Sequence, residues 1–514
     1  MDETKNPMRF TPDYRDAIMA IAALALGYLF ERWVLFSWFG YGVSLFTALY
    51  LAATAAYFRV RGHRLSRDAV FALAATLLVG LSYALWDNAE FNGYRSLFLF
   101  CGATYWVAAA CGFTLGGMVG SFAPFDLLNV LVIVPFGNLG ALFTSPRGFK
   151  RHAERRRNWG LIVGIVIALL LFIIVVPSLL RADGGAFSQI TGGVADAVSR
   201  FFEELFGYDF VIHLIVAIPV AIYMFGLIYG GARGRRTAVV TADGLQSTRN
   251  TCRVLPRLTS EIALTALAGL YVVYIACQVP YFFSAFGGSL PDGWLSVTEY
   301  ARSGFFELCS VAVITLAAML VMNGLCRTPF RDSKLLRTVN IALSVETIIL
   351  IASAISKFAL YLAVDGATMK RVLPCVFMAF LAVLFVGVIV LQFRQFNIAR
   401  YAVALGAVIM VALSFVNADA LVIRSNVARY KSGEIGLCDV DLFRRAGYAG
   451  VEPAIELLNT TELPSDYAAL LREYVKERYE GTYAMLSSKR DGVEVSVEYA
   501  RAQAAVRRNI GLIT

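Results

Sequence analysis

The sequence predicts an all-α polytopic transmembrane helix bundle, and three observations carry that prediction. Apolar residues make up 58% of the 514 residues and charged residues only 16%, with a mean hydropathy of +0.65. A soluble chain is nearer about one quarter charged. About eleven apolar stretches are each about long enough to cross a hydrocarbon core. The connectors between them are basic on every second occasion, as topology signals are.

In chain order the expected spans are 18–35, 44–58, 69–85, 97–118, 161–180, 211–228, 262–279, 305–321, 340–360, 372–391 and 401–416. Lys5, Arg9 and Arg15 precede the first, and no small-residue cleavage site follows it, so it reads as a retained anchor rather than a cleaved leader. Ser66-Arg67-Asp68 is placed to cap the third span and Ser260-Glu261 the seventh. The segment 122–143 is apolar but carries Pro124, Asp126, Asn129, Pro135, Gly137, Asn138 and Gly140, a poor composition for a lipid-exposed span. It reads as an interfacial or re-entrant helix on the inner face.

Charge orients the bundle. Arg59, Arg61, Arg64 and Arg67 follow the second span, and Arg147, Lys150, Arg151, Arg155, Arg156 and Arg157 precede the fifth. Arg233, Arg235, Arg236, Arg249, Arg253 and Arg257 separate the sixth and seventh; Arg327, Arg331, Lys334 and Arg337 follow the eighth; Arg394 and Arg400 precede the eleventh. The other connectors are neutral or acidic, as in Asp183, Asp196, Glu203, Glu204 and Asp209. A cytoplasmic N-terminus and an exterior C-terminus satisfy all of these at once. The net charge of +9 and isoelectric point near 9.1 therefore read as attraction to an anionic inner leaflet. No basic stripe interleaved with aromatics points to nucleic acid.

Two domains are expected, a transmembrane one over 1–416 and a soluble helical one over 417–514. The second carries about thirteen basic and about fourteen acidic side chains, with Gly447, Gly450, Pro453, Pro464, Ser465 and Gly481 dividing it into about four short helices. Its expected core faces are Ala469, Leu470 and Tyr474, then Val495, Val497, Ala500 and Ala504. So small a core leans on the membrane domain or on an exterior protein partner.

Charges inside a bilayer are costly and mark function. Glu346 and Lys357 lie eleven positions apart in the ninth span, on one face with Leu350 and Ser353 between them, separated by about 16 Å of rise. Glu346 is suited to take up a proton or hold a cation; the alternative is that both groups reach the interfaces. At the outer edge of the eighth span, Glu299 and Arg302 are one turn apart and Glu307 enters the apolar zone. Lys357 is its expected donor; alternatively this edge only locks two helices. His213 reads as a helix-packing polar residue. The eight cysteines show no Cys-x-x-Cys pair, and Cys438 alone is expected outside. Gly112, Gly116 and Gly117 read as close-packing positions within the fourth span. No metal-ligand spacing, phosphate loop, nucleophile elbow or kinase signature is present, so no catalytic residue, metal or cofactor is expected.

Several runs carry a family resemblance. They are Leu26-Gly27-Tyr28-Leu29-Phe30, Leu179-Leu180-Arg181-Ala182-Asp183 to Phe187, and Glu299-Tyr300-Ala301-Arg302 with Gly304-Phe305-Phe306-Glu307-Leu308. Tyr361 through Asp365-Gly366 to Arg371, and Asn417-Ala418-Asp419 with Asn426 and Arg429-Tyr430, complete the set. The chain resembles bacterial polytopic membrane proteins of a domain-of-unknown-function family (4173, related to 4153). The resemblance implies a many-helix bacterial inner-membrane protein with an exterior C-terminus, marks Arg371 as a further candidate, and often places Arg where this chain has Lys357. It implies no activity.

Three classes of function follow from these readings. One is a non-enzymatic membrane protein that transports, senses or scaffolds, with Glu346, Lys357 and Glu307 as its working groups. Another is a membrane-embedded transferase acting on lipid-linked substrates, for which Glu31 and Asp87 are the nearest outer carboxylates. The last is an assembly subunit whose residues 417–514 bind an exterior partner. The first is preferred.

Overall fold

Helices form where the apolar runs lie, because a backbone in hydrocarbon must satisfy its polar groups internally. The computed structural model describes residues 12–35, 40–88, 90–115, 120, 122–147, 208–237, 240–286, 297–365, 368–460, 463–487 and 495–512. The fifth expected span, the basic residues at 150–157, the acidic residues at 183–204 and the family run at 179–187 lie outside the described residues.

The first bundle comprises α1 (Tyr14–Phe30), prolonged by a π-helical turn (Glu31–Leu35), with α2 (Tyr41–Val60), α3 (Arg67–Leu85) and α4 (Asn92–Cys111). The broken run α5 (Ala123–Leu128), a second π turn (Asn129–Ile133), α6 (Val134–Gly137) and α7 (Ala141–Thr144) then packs on α8 (Tyr208–Arg233). A short polar helix, α9 (Ala242–Cys252), leads to the second bundle. That bundle holds α10 (Arg257–Phe286), α11 (Val297–Leu325), α12 (Lys334–Asp365) and α13 (Met369–Phe393), with α12 touching the other three. Helix α14 (Ile398–Phe415) packs on α13 and on α3, joining the bundles. Nine helices among the described residues are long and apolar enough to cross a membrane.

Around apolar cores, the bundles bury several polar groups and expose many large apolar side chains. Asp16, Glu31, Thr54, Thr76, Arg95, Ser344 and Thr347 are buried, whereas Ile18, Ile21, Leu97, Phe143, Ile262 and Phe393 are exposed. Large apolar groups on the outside and polar ones within suit an apolar surrounding.

Start signals act as expected at α3, where Ser66 Oγ accepts from the Ala69 N–H at 3.1 Å. They do not at α10. Ser260 donates to the Met322 carbonyl at 3.1 Å and Glu261 pairs with Arg257 and Ser333, so these two residues join helices rather than cap one. The fourth helix is displaced from 97–118 to Asn92–Cys111, because Gly112 takes φ +74° and ends it. Among the described residues no atom lies within 4 Å of a Cβ at Gly112, which acts as a helix terminator; Gly116 and Gly117 lie outside the described residues. The 122–143 segment is too short and broken for a straight span. Its helical run Ala123–Gly137 falls below the roughly 20 residues a crossing needs.

The tail forms α15 (Ala418–Lys431), α16 (Val440–Arg445), α17 (Val451–Thr460), α18 (Ser465–Ser487) and α19 (Val497–Arg508). Its core is Ile423, Phe443, Val451, Leu457, Leu471, Tyr474, Val475, Ala502, Ala505 and Val506. The expected faces are corrected here: Ala469, Leu470, Ala500 and Ala504 are exposed, and their neighbours Ala468, Leu471, Ala502 and Ala505 are buried. Tyr474 stays in the core. The tail leans on the helix ends, with the Tyr41 N–H on the Val495 carbonyl at 3.0 Å and Arg429 Nη1 on the Leu362 carbonyl at 2.9 Å. Three of the described basic connectors meet at the opposite end, where Arg61 and Arg233 reach Asp13 and Asp16, and Arg400 reaches Asp68.

Candidate functional site

Helix α12 places its expected polar residues where the sequence put them. Leu350, Ser353 and Lys357 are buried, and Glu346 is half-buried at the edge of the same stripe. The stripe faces α10, α11 and α13 because Leu343, Leu350, Ile351, Ala354 and Phe358 make up its apolar part. Most other polar groups in this bundle are satisfied. Asn323 and Asn340 exchange side-chain bonds at 3.1 Å, Tyr271 and Thr315 hydroxyls meet at 2.6 Å, and Ser344 and Thr347 bond back to carbonyls one turn earlier. The Asn323–Asn340 and Tyr271–Thr315 pairs lock helices together.

Glu346 is different. Its Oε2 is buried and has no hydrogen-bond partner among the described residues, and the Ser353 and Ser356 hydroxyls share that condition. An unsatisfied buried polar group costs about 1–3 kcal/mol, so a helix with three of them, Glu346 and Ser353 on one stripe and Ser356 about a quarter turn away, invites a proton, a cation or water. Glu346, Ser353 and Lys357 therefore form the candidate site.

The remaining expected residues sit around its tail-side end. Phe305 stacks on Phe358 with centroids 4.2 Å apart, which sets Glu307 and Lys357 at one level of neighbouring helices. Lys357 turns inward and Glu307 is exposed. Arg371 lies 4.1 Å over the Tyr361 ring, beside the Leu362 carbonyl that receives Arg429. Glu299 and Arg302 lie on α11, with side chains outside the described residues.

Three charged groupings were not legible in the sequence as units. At the basic end Asp13 caps α1 and Asp16 accepts from Tyr57 at 2.6 Å as well as from Arg61 and Arg233. At the π turn of α1, fully buried Glu31 meets His213 of α8, so His213 is a partner in a buried pair. At the tail end Arg95 is fully buried, its guanidinium 4.0 Å over the Tyr83 ring, among Asp87, Asp419 and Glu498. Sequence separation hid these: Asp87 and Glu498 are 411 residues apart. The available signals were an arginine at the head of an apolar stretch and the Asn417-Ala418-Asp419 run.

Helix lengths and the exposed apolar surface define a polytopic α-helical integral membrane protein. The family model Domain of unknown function (DUF4153) matches residues 73–457, and the chain belongs to that family. No curated protein and no solved structure matches the chain. The matched region spans α12 whole and holds Arg95 and Asp419; it ends before Glu498.

Proposed function

We propose that this is a non-enzymatic, multi-pass protein of the bacterial inner membrane that moves a proton or small cation, with Glu346 as the group that receives it. The N-terminus is cytoplasmic and the C-terminal tail exterior, since three arginine connectors share one end and the tail sits at the other. The bilayer is its partner, and residues 417–514 offer a surface to an exterior protein; no nucleic acid is involved.

The observation that carries the reading is the Glu346 Oε2 left without a partner among the described residues, on the face that also buries Ser353 and Lys357. A carboxylate needs a compensating charge in such surroundings, and an exchangeable proton or cation supplies it. Lys357 provides the positive charge further along the same face. Transferase chemistry is less well supported, because one oxygen of Glu31 is held by His213 and one of Asp87 by Asn92.

The test is proton flux into liposomes carrying the purified protein, driven by an imposed potential and read with a trapped pH-sensitive dye. Glu346→Gln and Lys357→Met should insert normally and lower the flux at least about tenfold, a barrier change near 1.4 kcal/mol. Neither variant should complement a deletion phenotype. Full flux and full complementation by both would make these residues structural.

A further inference from the structure

Where the tail meets the first bundle, a group of buried charges is left unused by the transport reading. The loop after α3 delivers Asp87 and Glu90, α4 delivers Arg95, α15 delivers Asp419, and α19 delivers Glu498. The Asp87 N–H donates to Glu498 Oε2 at 3.0 Å, Asn417 donates to the other Glu498 oxygen, and Asn92 Nδ2 donates to Asp87 Oδ1 at 3.0 Å. Trp86 Nε1 donates to the Phe415 carbonyl at 3.0 Å and Asn88 Nδ2 to the Val416 carbonyl at 3.3 Å, pinning the same loop to the start of the tail.

The charges do not balance. Arg95 spends its donors on neutral acceptors: the Trp86 and Asp87 carbonyls, Ser82 Oγ and Asn92 Oδ1. The carboxylates receive its field only. Arg478 of α18 adds a second cation near Asp87. Among the other elements at α15, α13 contributes Arg371, engaged on the Tyr361 ring, and the 447–450 turn contributes Tyr448, in edge contact with Tyr499. Asp419 is 3% exposed and its Oδ2 has no hydrogen-bond partner among the described residues; Asn88 Oδ1 shares that condition at 1% exposure. Four carboxyl groups, Asp419 and Glu498 buried and Asp87 and Glu90 half-buried, against two guanidiniums leave surplus negative charge at the junction if all ionise.

We propose that this junction is a proton-operated latch: the tail is held on the bundle while the carboxyl cluster keeps a proton and loosens when that proton leaves. Burial, reinforced by Glu90, Glu498 and Asp87 and opposed by Arg95, pushes Asp419 up to about 7. Burial also raises Glu498 and Asp87. In a freed tail the Asp419 carboxyl returns to about 4. Seating thus gains fully from the proton below that free value, weakens by up to about tenfold per pH unit above it, and has lost the gain above about 7. The ligand is the proton of the tail-side medium, and the device is independent of Glu346.

Hydrogen–deuterium exchange on the full chain in nanodiscs tests this, with protection factors for 418–431 and 497–508 corrected for the intrinsic pH dependence of exchange. Protection should be roughly thirty-fold greater at about pH 5.5 than at about pH 8.5. Asp419→Asn, which keeps the shape and removes the charge, should stay seated at both pH values with less than about a threefold difference. Equal protection at the two pH values, or greater protection at the higher one, overturns the latch, as does an Asp419→Asn variant that retains the thirty-fold ratio. Should that variant fail to fold, Glu498→Gln must shrink the ratio; an unchanged ratio in that variant overturns the latch as well. Protection restored at about pH 8.5 by millimolar calcium would assign the cluster to a cation and overturn the proton reading.

Discussion

At the scale of single residues, the buried acids sort into those whose partners are built into the fold and those left waiting. Asp16 belongs to the first kind: fully buried, it faces Tyr57, Arg61 and Arg233 from two other helices. Removing one member of a buried ionic group strands the rest, at about 3–5 kcal/mol. Asp16→Ala should therefore lower unfolding stability in detergent by about that amount; a loss below about 0.5 kcal/mol contradicts the network. Its neighbour Asp13 is pushed up by burial, but the Arg61 and Arg233 guanidiniums and the Asp16 N–H outweigh this and hold it below the ordinary carboxylate range. Its contribution is present above the free value near 4 and fades as pH falls through the depressed one. Acid thus loosens this basic end while tightening the tail junction. Glu346 and Asp419 are the waiting kind, each with a buried oxygen lacking a partner among the described residues, a condition that one oxygen of Glu31 shares although the other meets His213. Glu346 was legible because a charge within an apolar run stands out. Asp419 stood where the last span gives way to the tail, and although the Asn417-Ala418-Asp419 run marked it, spacing alone did not distinguish a buried acid from a solvated one there.

At the scale of elements, close approach of helices sets which glycines matter. A Cβ on Gly226 of α8 would lie 2.6 Å from the Pro135 carbonyl oxygen of α6, which is backbone and cannot swing aside. Gly93 of α4 has nothing within 4 Å. Gly226→Ala should destabilise by about 1–3 kcal/mol through overpacking, whereas Gly93→Ala should be neutral or stabilise by up to about 1 kcal/mol through lost chain entropy. Thermal unfolding of both variants in one detergent checks this; equal midpoints contradict the packing. The contact also explains the 122–143 segment, whose Asp126, Asn129 and Asn138 turn inward while Phe125, Val132 and Phe136 stay exposed. Composition revealed that this run was unsuited to a lipid-exposed span, but not that it docks on α8. The tail's helical character was legible, but the tail forms five helices rather than about four, Gly481 lies inside α18 instead of dividing two helices, and the faces are displaced by one or two positions. Their alanines and leucines are too evenly spread for periodicity to choose between Leu470 and Leu471, and packing against Phe443 and Tyr474 decides it.

At the scale of the molecule, the fold class was legible because hydrocarbon length and charge rejection act on long stretches, where single errors average out. Pairings across the bundle were not, since α3 with α14 and the 86–88 loop with α19 depend on contacts hundreds of residues apart in sequence. The account depends on two opposed ends, one with Arg61, Arg233 and Arg400, the other with Trp86, Asp87 and the tail. Arg64 is exposed at the first end and Arg501 on the tail. Single cysteines at these two positions, in a cysteine-free background, can be challenged in intact cells with a membrane-impermeant maleimide. The account predicts that Arg501→Cys is labelled and Arg64→Cys only after permeabilisation. Labelling of Arg64→Cys alone, or of both before permeabilisation, would contradict it.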